Sequence, residues 1–137
     1  MAARAEAYVD TSALIAFADR SDTHHETFRR LFSEPPSLLT TTLVVAEGHG
    51  WFLRRYDRVR AMQFLAMIEV MTPLVVAPVG PKEQTAAVAV LRRFSDQDLT
   101  VADAVGLHLM DIHRIGACWS TDLHLGITGV PLVVTGR

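Results

Sequence analysis

Short apolar runs that stop at an acid or a hydroxyl, separated by stretches of helical spacing, constrain this chain more than any other feature. Ala7-Tyr8-Val9 reads as a buried strand ending at Asp10, and Thr11 and Ser12 supply capping hydroxyls to a helix over 13–18. A second helix is expected to open near Ser21 or Asp22. It presents Phe28, Leu31 and Phe32 at helical spacing and stops at Pro35-Pro36. Leu38-Leu39-Thr40 reads as a second strand, and Thr41 or Thr42 caps a helix through Val44, Val45, Glu47 and Trp51 towards Arg55. The next helix carries Val59, Met62, Leu65 and Ile68 on one face. Leu74-Val75-Val76-Ala77, between Pro73 and Pro78, is a third strand. A helix over 81–93 turns Ala86, Val90 and Leu91 inward, and a polar loop, Ser95-Asp96-Gln97-Asp98, leads to a capped helix near Val101. Gly116 to Ser120 reads as strand four and Pro131 to Val134 as strand five.

Strands alternating with helices predict an α/β protein, a three-layer α/β/α arrangement around a parallel five-stranded sheet. A length of 137 residues fits one domain spanning 1–137, and a chain half hydrophobic with a net charge of −2 has material for a core. Cys118 is the only cysteine, so no intrachain disulfide and no cysteine-based zinc site can form. The first ten residues lack the apolar core of a secretory signal, and no apolar stretch approaches a bilayer's thickness, so a soluble, cytoplasmic protein is expected.

Ligands of parallel sheets bind beyond the carboxyl ends of the strands. Asp10 and Asp122 stand at such ends, Glu47 near the start of the helix after strand two, and Asp103 in the first turn of the helix that follows the polar loop. Each acid has an ordinary alternative. Asp10 and Asp122 are suitable helix or turn caps, and Thr100-x-x-Asp103 has the spacing of a capping box. Glu47, among small and apolar neighbours, is expected against a packed face or else paired with Arg54 or Arg55. Taken together, four clustered carboxylates need a cation, and an all-oxygen donor set favours Mg²⁺ or Mn²⁺. Asp98 is a further, loop-borne acid.

The ordered set Asp10-Thr11-Ser12, isolated Glu47, Leu99-Thr100-x-x-Asp103-Ala104 and Thr121-Asp122 resembles the successive motifs of PIN domains. Its size and order are similar to the VapC-type toxins of bacterial type II toxin–antitoxin pairs, from about Tyr8 to Val134. The resemblance implies a five-stranded parallel sheet with an acidic pocket, and Mg²⁺- or Mn²⁺-dependent hydrolysis of RNA. It also implies an antitoxin partner and a homodimer or hetero-oligomer. It makes Asp10, Glu47, Asp103 and Asp122 the catalytic, metal-binding quartet, supported by Thr11, Ser12 and Thr121, with the loop residue Asp98 ranked behind the four. The sequence departs from the pattern after the last acid, where Leu125 replaces an aromatic and Leu123-His124 offers no further carboxylate.

Arg54, Arg55, Arg58 and Arg60 form a basic run suited to RNA phosphates or to a partner's acidic tail, and equally to a solvated helix face. Trp51 and Phe52 beside it are expected in packing, with base stacking as the alternative. Competing functions are a stand-alone RNA-processing PIN nuclease, a catalytically inactive partner-binding PIN domain and a phosphorylated receiver domain. The last requires paired amino-terminal acids and a late lysine, neither of which the sequence has.

Overall fold

Strands β1 (Ala7–Val9), β2 (Leu38–Thr41), β3 (Leu74–Ala77) and β4 (Cys118–Trp119) form one parallel sheet in the order β3-β2-β1-β4. The structure is a computed structural model and describes residues 4–132. Strand three matches its sequence reading residue for residue, whereas strand four shrinks to two residues. Four strands are seen among the described residues, against the five expected. Leu132 makes an isolated parallel bridge to Cys118, and the rest of the fifth-strand reading, Val133 and Val134, lies outside the described residues.

Helices α1 (Thr11–Ala18), α2 (His25–Leu31), α3 (Thr42–Arg55) and α4 (Arg58–Val70) pack with one another, and α5 (Pro81–Arg93) packs on α6 (Val101–Ile112). The chain moves outward from β1 through β2 to β3, then returns past β1 to β4. Right-handed crossovers in these opposite directions place the two helix groups on opposite faces. The strand order therefore reverses between β1 and β4, where open α/β sheets form a crevice for ligands. With β3 beside β2 rather than beside β1, the order also differs from that of receiver domains.

One helix, α4, keeps only Ile68 of the face that its spacing suggested. In α4 the buried residues are Ala61, Phe64 and Ile68, while Val59 is 62% exposed and Met62 44%. The cause lies on α3. Gly48 leaves a hole there that the Phe64 ring fills, and a Cβ on Gly48 would stand 2.3 Å from Phe64 Cζ. In α5, Ala86, Val90 and Leu91 are half-buried around the fully buried Ala87, on the inward face that their spacing suggested. Helix α2 starts later than expected because Asp22 holds a turn, its carboxylate accepting from the His24 amide at 2.8 Å.

Helix α6 approaches β1 closely at Gly106, where a Cβ would lie 2.8 Å from Tyr8 Cε2. Tyr8 is buried, and its hydroxyl has no hydrogen-bond partner among the described residues. Residues 8 and 10 share a face of the strand, and residues 103 and 106 share a face of the helix. Packing Gly106 against Tyr8 therefore carries Asp103 towards Asp10. No helix among the described residues is long and apolar enough to cross a membrane.

Candidate active site at the carboxyl edge of the sheet

Asp10 sits one residue past β1, in the crevice where the strand order reverses. It occupies the N-cap position of α1, yet its side chain makes no cap hydrogen bond. Its Oδ2 instead accepts from the hydroxyls of Ser12 (3.1 Å) and Ser120 (2.9 Å). The residue is only 6% exposed. Burial pushes its carboxyl up to about 6, and the charge of Asp103 adds to that rise. The Ser120 hydroxyl, the Thr11 amide and the Ser12 hydroxyl work against it. No basic side chain pairs with it among the described residues, where the ion pairs are Arg29–Glu26 and His124–Asp122.

Ser120 is the site residue that the motif reading missed. It is fully buried, donates to Asp10 and accepts from the Asp122 amide at 2.8 Å. Strand register identifies it: Val9 pairs with Trp119, so the next residues, Asp10 and Ser120, face each other across the crevice. Ser12 completes the tie, accepting from the Thr121 amide at 3.0 Å and contacting Ser120 at 3.2 Å. Thr121 thus contributes its backbone to the tie. The hydroxyls stitch the ends of β1 and β4 together around the Asp10 carboxylate.

Asp103 does form the capping box. Thr100 Oγ1 accepts from the Asp103 amide at 3.1 Å, and Asp103 Oδ2 accepts from the Thr100 amide at 3.0 Å. Asp122 caps the 3-10 turn Leu123–Gly126, its Oδ1 accepting from the His124 amide at 2.9 Å and lying 3.1 Å from His124 Nδ1. Leu125, in place of the aromatic, is fully buried, so local packing is intact.

Glu47 corrects an expectation. It is exposed rather than set against a packed face, and it is not paired with Arg54 or Arg55. Its small neighbours Ala46 and Gly50 leave it on an open groove, where the Thr11 hydroxyl donates to Oε1 at 2.6 Å. Asp98 is exposed in its loop, with no hydrogen bond from its side chain among the described residues.

Three of the acids share one neighbourhood. Burial raises the buried Cys118 thiol above its ordinary range, and the charges of Asp10, Asp122 and Asp103 all raise it further. The convergence is nevertheless of one edge rather than one point: among the described residues, no three His, Cys, Asp or Glu side chains are grouped to hold a metal ion. Each carboxylate has one oxygen turned to a local donor, which spreads them. The donor chemistry still fits a hard divalent cation. All the groups offer oxygen, a buried carboxylate lacks a counter-charge, and Mg²⁺ commonly takes one or two carboxylates and keeps several waters.

The basic run does not form one surface. Arg54 lies on the Glu47 groove, Arg60 and Arg55 sit over the Tyr56 ring at 4.3 and 5.3 Å, and Arg58 is exposed in the first turn of α4. Phe52 is core, stacked edge-on by Trp51 at 4.9 Å.

The PIN domain family model matches residues 7–125. No curated protein matches the chain. Among solved structures, the chain is similar to VapC20 of Mycobacterium tuberculosis, a sarcin-ricin loop cleaving toxin. The TM-score is 0.83 at 26% identity, covering 96% of this chain and 98% of that one. A toxin–antitoxin complex from Klebsiella pneumoniae matches with a TM-score of 0.63 at 17% identity, over 96% of this chain and 98% of that one. PAE2754 from Pyrobaculum aerophilum matches with a TM-score of 0.64 at 22% identity, over 91% of this chain and 85% of that one. The last two likenesses concern the fold alone. The family match runs from β1 to the 3-10 turn and includes all four acids, so this chain belongs to the PIN domain family.

Proposed function

We propose that the protein is a divalent-metal-dependent endoribonuclease acting as the toxin of a type II toxin–antitoxin pair. The observation that carries this reading is Asp10: a buried carboxylate without a basic partner, in the β1/β4 crevice, wrapped by hydroxyls and electrostatically coupled to Asp103. The likeness to VapC20 over nearly the full length of both chains supports the toxin assignment and a cognate antitoxin as partner. A homodimer or toxin–antitoxin hetero-oligomer follows from the same assignment.

Asp10, Asp103, Asp122 and Glu47 are the residues that would hold Mg²⁺ or Mn²⁺. When bound, the cation supplies positive charge at the phosphodiester and makes water a better nucleophile. Ser12 and Ser120 fix the Asp10 carboxylate, and Thr11 fixes Glu47, so that the acids are aimed before substrate arrives. The Thr121 backbone amide, held by Ser12, sets the turn that presents Asp122. Arg54, on the Glu47 groove, supplies phosphate attraction beside the site. Hydrolysis leaves 5′-phosphate and 3′-hydroxyl ends.

The test is cleavage of single-stranded and loop RNA with Mg²⁺ or Mn²⁺, repeated with chelator. Asp10→Asn and Asp103→Asn are expected to lower the rate by roughly 10²–10³-fold, the scale for removing one preorganised charge-stabilising group. Circular dichroism should show both variants folded. Full activity in folded variants, or cleavage indifferent to chelator, overturns the reading.

A further inference from the structure

An open groove of about 440 Å³ runs from the acidic edge between α3 and the start of α6, lined by Ala46, Glu47, Gly50, Arg54, Thr100 and Val101 among others. Glu47, Gly50 and Arg54 follow one another at helical spacings of three and four, which sets them along one face of α3. Long helical side chains lean back towards the helix N-terminus. Arg54 does so over Gly50, and a Cβ there would stand 3.0 Å from Arg54 Nη1. The missing side chain at position 50 thus lets the guanidinium lie along the groove, pointing back towards Glu47. The opposite wall is the N-terminus of α6, whose dipole favours negative charge. The other arginines of the run are placed elsewhere: Arg55 and Arg60 lie over Tyr56, and neither they nor Arg58 lines the groove.

We propose that this groove is the path of the RNA strand beside the cleavage site, with Arg54 binding a backbone phosphate and Gly50 serving as the positioning residue that gives Arg54 its place. The inference rests on the nuclease reading and deepens it, since it selects one arginine from a run of four. Glu47 and Arg54 are seven residues apart, roughly 10 Å along the helix axis. The phosphate held by Arg54 is therefore a nucleotide or two from the one that is cut. Thr100 and Val101 border the strand on the other side, and the small side chain of Ala46 keeps the floor open.

The experiment measures binding of a short, unstructured, fluorescently labelled RNA to the protein carrying Asp10→Asn, which removes cleavage. On that background, Arg54→Gln is expected to weaken binding roughly five- to tenfold and to flatten the dependence of log affinity on log salt by about 0.7, the value for one single-strand phosphate contact. Arg55→Gln and Arg58→Gln should each change affinity by less than about twofold. Gly50→Ala should weaken binding by displacing the guanidinium, without lowering the thermal midpoint, because alanine favours a helix interior over glycine. Equal losses for the three arginine variants, or an unchanged salt slope in Arg54→Gln, overturn the assignment. Wild-type cleavage of the same RNA is measured alongside. If cleavage persists while Arg54→Gln binds normally, the strand path fails alone. If no RNA is bound or cut in any condition, the nuclease reading fails with it.

Discussion

The two ends of the site are built on opposite principles. Around Asp10 the carboxylate is buried, its hydroxyl partners come from two strand ends, and its surroundings resist the charge it must carry. Around Glu47 the carboxylate is exposed, one hydroxyl holds it, and a groove with a single lining arginine opens beside it. The first arrangement carries an electrostatic cost that a bound cation would relieve. The second is cheap to maintain and suits a long, variable polymer that must enter and leave. On the proposed reading, chemistry sits where the sheet fixes geometry, and substrate handling sits where small helix residues leave room.

The largest test of that contrast is the stability of the metal-free protein against pH. The Asp10 carboxyl titrates at about 6 in the fold, above its ordinary 3.8. A raised folded value means that the folded state binds the proton more tightly. Its contribution is complete below pH 3.8 and is lost as pH rises through about 6. The loss amounts to roughly 3 kcal/mol, at 1.36 kcal/mol per pKa unit. Denaturant unfolding in chelator should show this decline in the wild type and a much flatter profile in Asp10→Asn. Mg²⁺ or Mn²⁺ should restore stability at neutral pH to the wild type only. Parallel profiles for the two proteins would remove the buried, uncompensated charge on which the contrast depends. For Glu47→Gln no comparable difference is expected, since that side chain is already in solvent.

A second, smaller effect separates the two glycines of α3, which face opposite surroundings two residues apart. A Cβ at Gly48 meets the Phe64 ring at 2.3 and 2.5 Å, and that ring is itself 2% exposed and cannot swing away. Gly48→Ala should therefore destabilise the fold by about 1–3 kcal/mol, as overpacking does. The flexible end of Arg54 is all that opposes Gly50→Ala, and there the helix preference of alanine dominates. Thermal unfolding of the pair reads the difference directly. A gain in stability for Gly48→Ala would mean that α4 does not dock through Phe64.

The same glycine shows what the sequence could and could not reveal. The acids were legible because each follows a short apolar run or opens a helix, and the PIN-like order of motifs placed them on one edge. Asp103 and Asp122 were legible as caps, the role in which hydrogen bonds hold both. The inward face of α4 was not legible. Val59, Met62, Leu65 and Ile68 make as good an apolar stripe as Ala61, Phe64 and Ile68, and the choice is made by a hole on another helix. Ser120 was hidden for a related reason: its role comes from the pairing of β1 with β4, more than a hundred residues apart in the chain. Glu47 is exposed although its neighbours in sequence are apolar, because successive helical residues point in different directions.

The smallest expected effect tests how far the two ends of the site are coupled. Thr11 is the first residue of α1, next to Asp10, and its hydroxyl reaches Glu47 on α3. Thr11→Val keeps the shape and removes that one hydrogen bond. Because Glu47 can turn to water instead, the loss in stability should stay near 0.5–1 kcal/mol. Cleavage should suffer more than stability does, since a loosened Glu47 no longer presents its free oxygen in a fixed place. A double-mutant cycle with Glu47→Gln distinguishes this from simple damage to α1. If Thr11 acts through Glu47, the paired variant should cleave no more slowly than Glu47→Gln alone. Fully additive losses would mean that the buried and open ends work independently, and that the 2.6 Å contact between them is incidental to catalysis.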